Sequence, residues 1–177
     1  MDSKESGFEW LDRLFSGEED AACDEFMDRL LEKMAKVFDK RVAGVYDNAG
    51  LFITIVPDVE KFAGQEVVKV SKSSNMHPEV LKELLSLHLK GMTPRVMPLD
   101  TKAAATVASI TVEQMGDVFD DRMANVPNSG CFIMAFAGMG DKGSTVDARV
   151  IWMSNIVKSE RIKLLKGAIA SIEGDEE

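Results

Sequence analysis

The segment Glu32–Val42 (Glu-Lys-Met-Ala-Lys-Val-Phe-Asp-Lys-Arg-Val) recurs as Glu113–Met123 (Glu-Gln-Met-Gly-Asp-Val-Phe-Asp-Asp-Arg-Met). Six of these eleven positions are identical, where unrelated segments of average composition share about one. After a one-residue deletion the match resumes, with Asn48-Ala49-Gly50-Leu51-Phe52-Ile53 against Asn128-Ser129-Gly130-Cys131-Phe132-Ile133. Self-similarity at a nearly constant offset constrains architecture more than any local pattern, because what one copy folds into the other must fold into too. The expected plan is an αββα copy over 19–91, a linker over 92–100 and a second αββα copy over 101–174. Segment 1–18 precedes the copies and an acidic tail, 175–177, follows them.

Each copy opens with a helical pattern. Phe26, Met27, Leu30, Met34, Val37, Phe38 and Val45 recur at three- and four-residue steps, as do Val107, Ile110, Val112, Met115, Val118, Phe119 and Met123; this spacing places each set on one helix face. Ala103–Ala108 is ambiguous alone, but its alignment with Ala21–Met27 favours helix. Polar turns follow, Asp47–Gly50 and Pro127–Gly130, where Gly and Asn accept left-handed backbone. Next come the apolar runs Leu51–Val56 and Cys131–Phe136. Neither alternates, which predicts central strands covered on both faces. Second strands are expected over Glu66–Ser71 and Asp147–Met153. The closing helix of copy one starts at Pro78, with Asn75 or His77 as cap and Leu81, Leu84, Leu85 and His88 on one face. That of copy two starts near Ser159 and carries Ile162, Leu165 and Ile169. Pro94 and Pro98 stiffen the linker. The fold class is therefore α+β: two pseudo-symmetric αββα units sharing one antiparallel sheet of about four strands, with helices packed on it. One unit alone would leave a sheet edge bare.

Composition narrows the function. A chain of 177 residues buries roughly 70% of its unfolded surface and needs no disulfide or metal staple. The formal net charge of −9 argues against nucleic acid and anionic membrane as partners, because both require Lys and Arg to displace counterions. The two cysteines, Cys23 and Cys131, lie far apart in apolar stretches and read as reduced, buried small hydrophobes. No basic-then-apolar leader and no run approaching 18 apolar residues is present, so a cytoplasmic protein is expected. The two histidines, His77 and His88, cannot be i,i+4 ligands of one metal. Neither a metal nor a cofactor is expected.

Several residues are candidates for a site. Asp39/Arg41 and Asp120/Arg122 repeat as Val-Phe-Asp-x-Arg; Arg41 and Arg122 offer forks for a carboxylate or phosphate, or else brace the helix end. Gly138–Ser144 spells G-x-G-x-x-G around Lys142, but the pattern that follows is a strand, whereas a dinucleotide loop opens a helix. It reads as a hairpin connection in which Lys142 would contact an anion. The copies diverge at Lys69 against Ile151 or Trp152, depending on where the gap is placed, and Trp152 marks the divergent surface. In the N-terminal segment, Phe8, Trp10, Leu11, Leu14 and Phe15 form an aromatic-rich helical stripe suited to docking into a groove.

The closing segment, Arg149-Val150-Ile151-Trp152-Met153-Ser154-Asn155 followed by Glu160–Lys166 and Glu173-Gly174, resembles small bacteriophage and prophage proteins of accessory type. Those end in a strand with a Tyr-Ile-Ser-Asn-Ala-Asp-Arg-like motif and a helix; here Trp152 and Met153 replace the Tyr-Ile pair and Ala-Asp-Arg is missing after Asn155. The resemblance implies a compact accessory protein and carries no catalytic residue across. The sequence leads to a non-enzymatic protein-interaction factor; the resemblance implies a phage-encoded one that engages a host or phage protein, with self-association as a further expectation. The alternative is a binder of a small anionic, nucleotide-like ligand in the cleft between copies, with Arg41, Arg122, Lys142 and Trp152 as its contacts.

Overall fold

The computed structural model describes residues 19–46, 48–66, 68–91, 99–138 and 149–174. Helix α1 (Glu19–Phe38) runs on into a π-helical turn, Asp39–Ala43. Then follow β1 (Asn48–Val56), α2 (Val59–Ala63), β2 (Ser71–Ser74), α3 (Pro78–Leu89), α4 (Leu99–Met123), β3 (Gly130–Gly138), β4 (Arg149–Ser154) and α5 (Lys158–Gly174). The four strands form one antiparallel sheet in the order β2-β1-β3-β4. The molecule is α+β, with helices on both faces of the sheet.

The apolar runs without alternation are the two central strands, and their lack of alternation has the expected cause. Leu51, Ile53 and Ile55 of β1 and Cys131, Ile133, Ala135 and Ala137 of β3 join Met27, Leu30, Met34 and Phe38 of α1 and Ala108, Val112, Met115 and Phe119 of α4 in one core. Phe52 and Val56, with Phe132, Met134 and Phe136, face the other way and join Leu81, Leu84 and Leu85 of α3 and Leu164 and Leu165 of α5 in a second. Because side chains alternate along a strand, covering both faces requires apolar residues at odd and even positions alike.

The pairing repeats along the chain. Phe52↔Ser74, Ile53↔Ser73, Thr54↔Lys72 and Ile55↔Ser71 have counterparts each 80 residues on: Phe132↔Ser154, Ile133↔Met153, Met134↔Trp152 and Ala135↔Ile151. Between β1 and β3 the pairs run from Asn48↔Gly138 to Val56↔Gly130 and include Ile53↔Ile133, two residues that are themselves 80 apart. The strand-end hydrogen bonds repeat as well. Leu51 N–H donates to Asn75 Oδ1 at 2.7 Å, and Cys131 N–H to Asn155 Oδ1 at 2.8 Å. Ser74 Oγ donates to the Leu51 carbonyl and Ser154 Oγ to that of Cys131. The amides of Met76 and Ile156 then donate to those same serine hydroxyls, both at 3.1 Å. The first half has one more residue between helix and strand, and the π turn lies just there: Gly44 N–H reaches back five residues to the Asp39 carbonyl at 2.6 Å. Single-turn π-bulges inside helices absorb such extra residues.

Five expectations are corrected. Asn48, Ala49 and Gly50 belong to β1, and the turn ends before them. Gly50 is a strand glycine because it opposes Phe136, whose ring would overlap a Cβ there. Strand β2 starts later than expected, at Ser71; the expected start of β4, Asp147, lies outside the described residues. Val37, Val45, Ile110 and Val118 are exposed; the buried stripes instead take in Leu31 and Thr111, one residue to the side. Asn75 does not cap α3; it satisfies the Leu51 amide, while His77 holds the N-cap position without a side-chain bond and Pro78 fills N1. Helix α4 begins at Leu99, inside the expected linker. Ala103–Ala108 is helical, and Asn128, in the second turn, has φ +62°.

Candidate functional site

The helices on the second face cross between halves. Helix α3 follows β2, yet its His88 meets rings of β3 and β4. The His88 ring lies 5.3 Å from that of Phe132 and 4.8 Å from that of Trp152, both edge-on. Phe132 and Trp152 stack at 6.2 Å and 23°, and the Arg161 guanidinium sits 4.6 Å over the Trp152 ring, close enough for a cation–π contact. Helix α5 follows β4, yet it lies over β1 and β2: Lys72 Nζ donates to Ser171 Oγ at 2.6 Å, and Lys82 of α3 pairs with Glu173 of α5 at 3.3 Å.

Where α5 crosses β1 and β2 the packing leaves a cavity of about 180 Å³. Phe52 and Thr54 form its floor, Phe62 of α2 and Val70 its sides, and Leu164, Gly167 and Ala168 its roof, with Lys72 and Lys163 at the mouth. Thr54 is 1% exposed, and its hydroxyl has no hydrogen-bond partner among the described residues. Lys72 donates to a neutral hydroxyl, whereas Lys163 is held by Glu160 at 3.1 Å. The lysines are the only ionisable residues in the lining among the described residues. The cavity offers apolar walls, one idle hydroxyl and positive charge at the opening.

In the other half the equivalent place holds the rings of Phe132, Trp152 and His88. Five cavity residues have counterparts 80 positions away that are larger or equally bulky: Phe132 for Phe52, Met134 for Thr54, Trp152 for Lys72, and, counting back, His88 for Ala168 and Leu87 for Gly167; Lys163 has the smaller Glu83, and the counterpart of Phe62, Lys142, lies outside the described residues. The indole and imidazole occupy what Lys72 and Ala168 leave open. A Cβ built on Gly167 would meet no atom within 4 Å.

The sequence-derived candidates are dispersed. Arg41 and Arg122 are exposed on the α1 and α4 side of the sheet, opposite the cavity, and neither has a side-chain partner among the described residues. They do not line the cavity, and among the described residues no side-chain bond ties either to a helix end. Trp152 is 43% exposed and belongs to the filled half, and its counterpart by strand register is Lys72 rather than Lys69. Lys142 and the glycine loop, together with the stripe Phe8, Trp10, Leu11, Leu14 and Phe15 and the side chain of Cys23, lie outside the described residues. Cys131 is a free buried thiol whose pKa is pushed up to about 12 by burial and by Asp120, against a hydrogen bond between the thiol and the Asn155 backbone; a thiol this reluctant to ionise is not a nucleophile. Thr54, Lys72, Gly167 and Ala168 were not among the candidates. Their one sequence signal is that they differ from their counterparts 80 residues away.

Burial, and secondarily Arg161, holds the His88 pKa below its ordinary value of 6.5. Between the lowered folded value and 6.5 the unfolded chain binds more protons, so the stability His88 contributes is complete above 6.5 and is lost as pH falls through the folded value. Melting temperature is expected to drop from about pH 7.5 to about pH 5.5, above the carboxylate range, and His88→Phe is expected to shrink that drop. An unchanged slope in the variant would assign the pH dependence elsewhere.

No protein family, curated protein or solved structure matches the chain. Among the described residues, no group of three or more His, Cys, Asp or Glu could hold a metal, and no helix is long and apolar enough to cross a membrane.

Proposed function

We propose that the chain is an internally duplicated, non-enzymatic binding protein that holds one small, largely apolar anion in the cavity at the junction of its halves. Support for the duplication comes from the strand pairs and side-chain bonds that recur 80 residues apart. A pseudo-twofold axis then passes between Ile53 and Ile133. Such a molecule is an intramolecular homodimer, the second half present at high effective concentration. Once fused, the halves are free to diverge: one filled its site with Trp152 and His88, and the other kept a cavity. The bacteriophage accessory role implied by the closing segment fits a protein that sequesters a ligand without transforming it.

The observation that carries the binding reading is Thr54. A buried hydroxyl without a partner costs about 1–3 kcal/mol, and Met134 shows that an apolar residue suits the equivalent position. A retained cost of this kind is characteristic of a binding site. Thr54→Val should therefore raise the melting temperature, by about 2–10 °C for a chain of this size, while weakening ligand binding. A variant that melts lower, or that binds the ligand as well as the parent does, removes the hydroxyl from the site.

A further inference from the structure

The cavity lies where the residues 80 positions away place two aromatic rings, those of Trp152 and His88. In the filled half, the Phe132 ring is met by the Trp152 indole and the His88 imidazole. In the open half, Phe52 occupies the place of Phe132 beneath Ala168 and Gly167, and the Phe62 ring flanks it. The volume of about 180 Å³ is a little above the roughly 150 Å³ of an apolar cavity that accepts benzene. That is room for one ring system with a short substituent and too little for a nucleotide. The polar groups differ in depth. Thr54, buried on the floor, pairs across the strands with the exposed Lys72, and Lys163 is exposed as well.

Resting on the reading of the cavity as a ligand site, we propose that its ligand is an aromatic carboxylate. The ring stacks against Phe52 under Ala168, the carboxylate meets Lys72 at the mouth, and a ring N–H or O–H donates to Thr54 Oγ1. An aromatic ring fits the offset and edge-on contacts these phenylalanines offer. An ammonium whose partner is a neutral hydroxyl exchanges Ser171 for a carboxylate and gains a charge-assisted bond.

The test is a thermal-shift and calorimetric comparison on the full chain with four probes: indole-3-acetate, 4-hydroxyphenylacetate, octanoate and inorganic phosphate. The two aromatic acids should raise the melting temperature, by about 5–10 °C at a hundredfold excess over Kd, and octanoate and phosphate should not. Lys72→Trp with Ala168→His copies the filled half and should weaken both aromatic acids at least tenfold. Gly167→Leu closes the roof by a single change and should do the same should the double variant fail to fold. Binding of octanoate in preference to the aromatic acids overturns the ligand class and leaves the cavity as a binding site. Aromatic acids that bind the filled variants as tightly as the parent place the ligand elsewhere. No binding by any of the four overturns both readings.

Discussion

Residues 1–98 expressed without the remainder are expected to yield no folded monomer. The edge of β1 that pairs with β3 over nine positions would be bare, and a bare hydrophobic edge strand recruits another chain. The losses on the faces are as large. Helix α3 would lose Phe132 and Trp152, the rings against which His88 packs, and Phe52 and Thr54 would lose α5. The half-chain is expected either to remain unfolded or to associate with a second copy in the register that pairs Ile53 with Ile133 here. Circular dichroism with size-exclusion light scattering distinguishes these outcomes. A stable, folded, monomeric 1–98 would falsify the duplication, since neither half would then need the other.

Phe132→Ala is the single substitution with the largest expected loss. The ring is fully buried and bridges Phe52, His88 and Trp152. Truncating such a residue costs about 3–5 kcal/mol, or about 6–20 °C in melting temperature at this chain length. Phe52→Ala, at the matching position, should cost less. The Phe52 ring already borders empty space, so its removal forfeits fewer contacts. Thermal melts of the two variants side by side decide the matter. Equal losses would mean that the two halves are equally well packed and that the cavity is not a built feature.

The parts of the fold legible in the sequence were those whose side chains alone carry the signal. The continuous apolar runs of β1 and β3 and the stripe of α3 are dictated by burial on two faces and on one, respectively. Strand β2 lies C-terminal to the segment its sequence favours, because Ser71-Lys72-Ser73-Ser74 has little β propensity and lies beside Val68 and Val70, which look more like a strand. An edge strand can be polar and carry Lys, since charge there opposes edge-to-edge pairing. Val37, Ile110 and Val118 fit a three- and four-residue spacing, yet which flank of a helix faces the sheet is set by the partner element, and that is not encoded locally.

The candidate site was legible only as a rule, namely that function gathers where the copies differ. The rule directed attention to Trp152 and the glycine loop, whereas the cavity formed opposite Trp152's counterpart, at Lys72. By itself the sequence determined the repeat, the α+β class and the two-sided central strands, because periodicity and burial follow from residue types along the chain. Tertiary structure alone decided that α3 and α5 each cross onto the other half's strands. That exchange brings Gly167 and Ala168 over Phe52 and Thr54, residues more than a hundred positions away, and a void depends on side chains that meet only after the chain has folded.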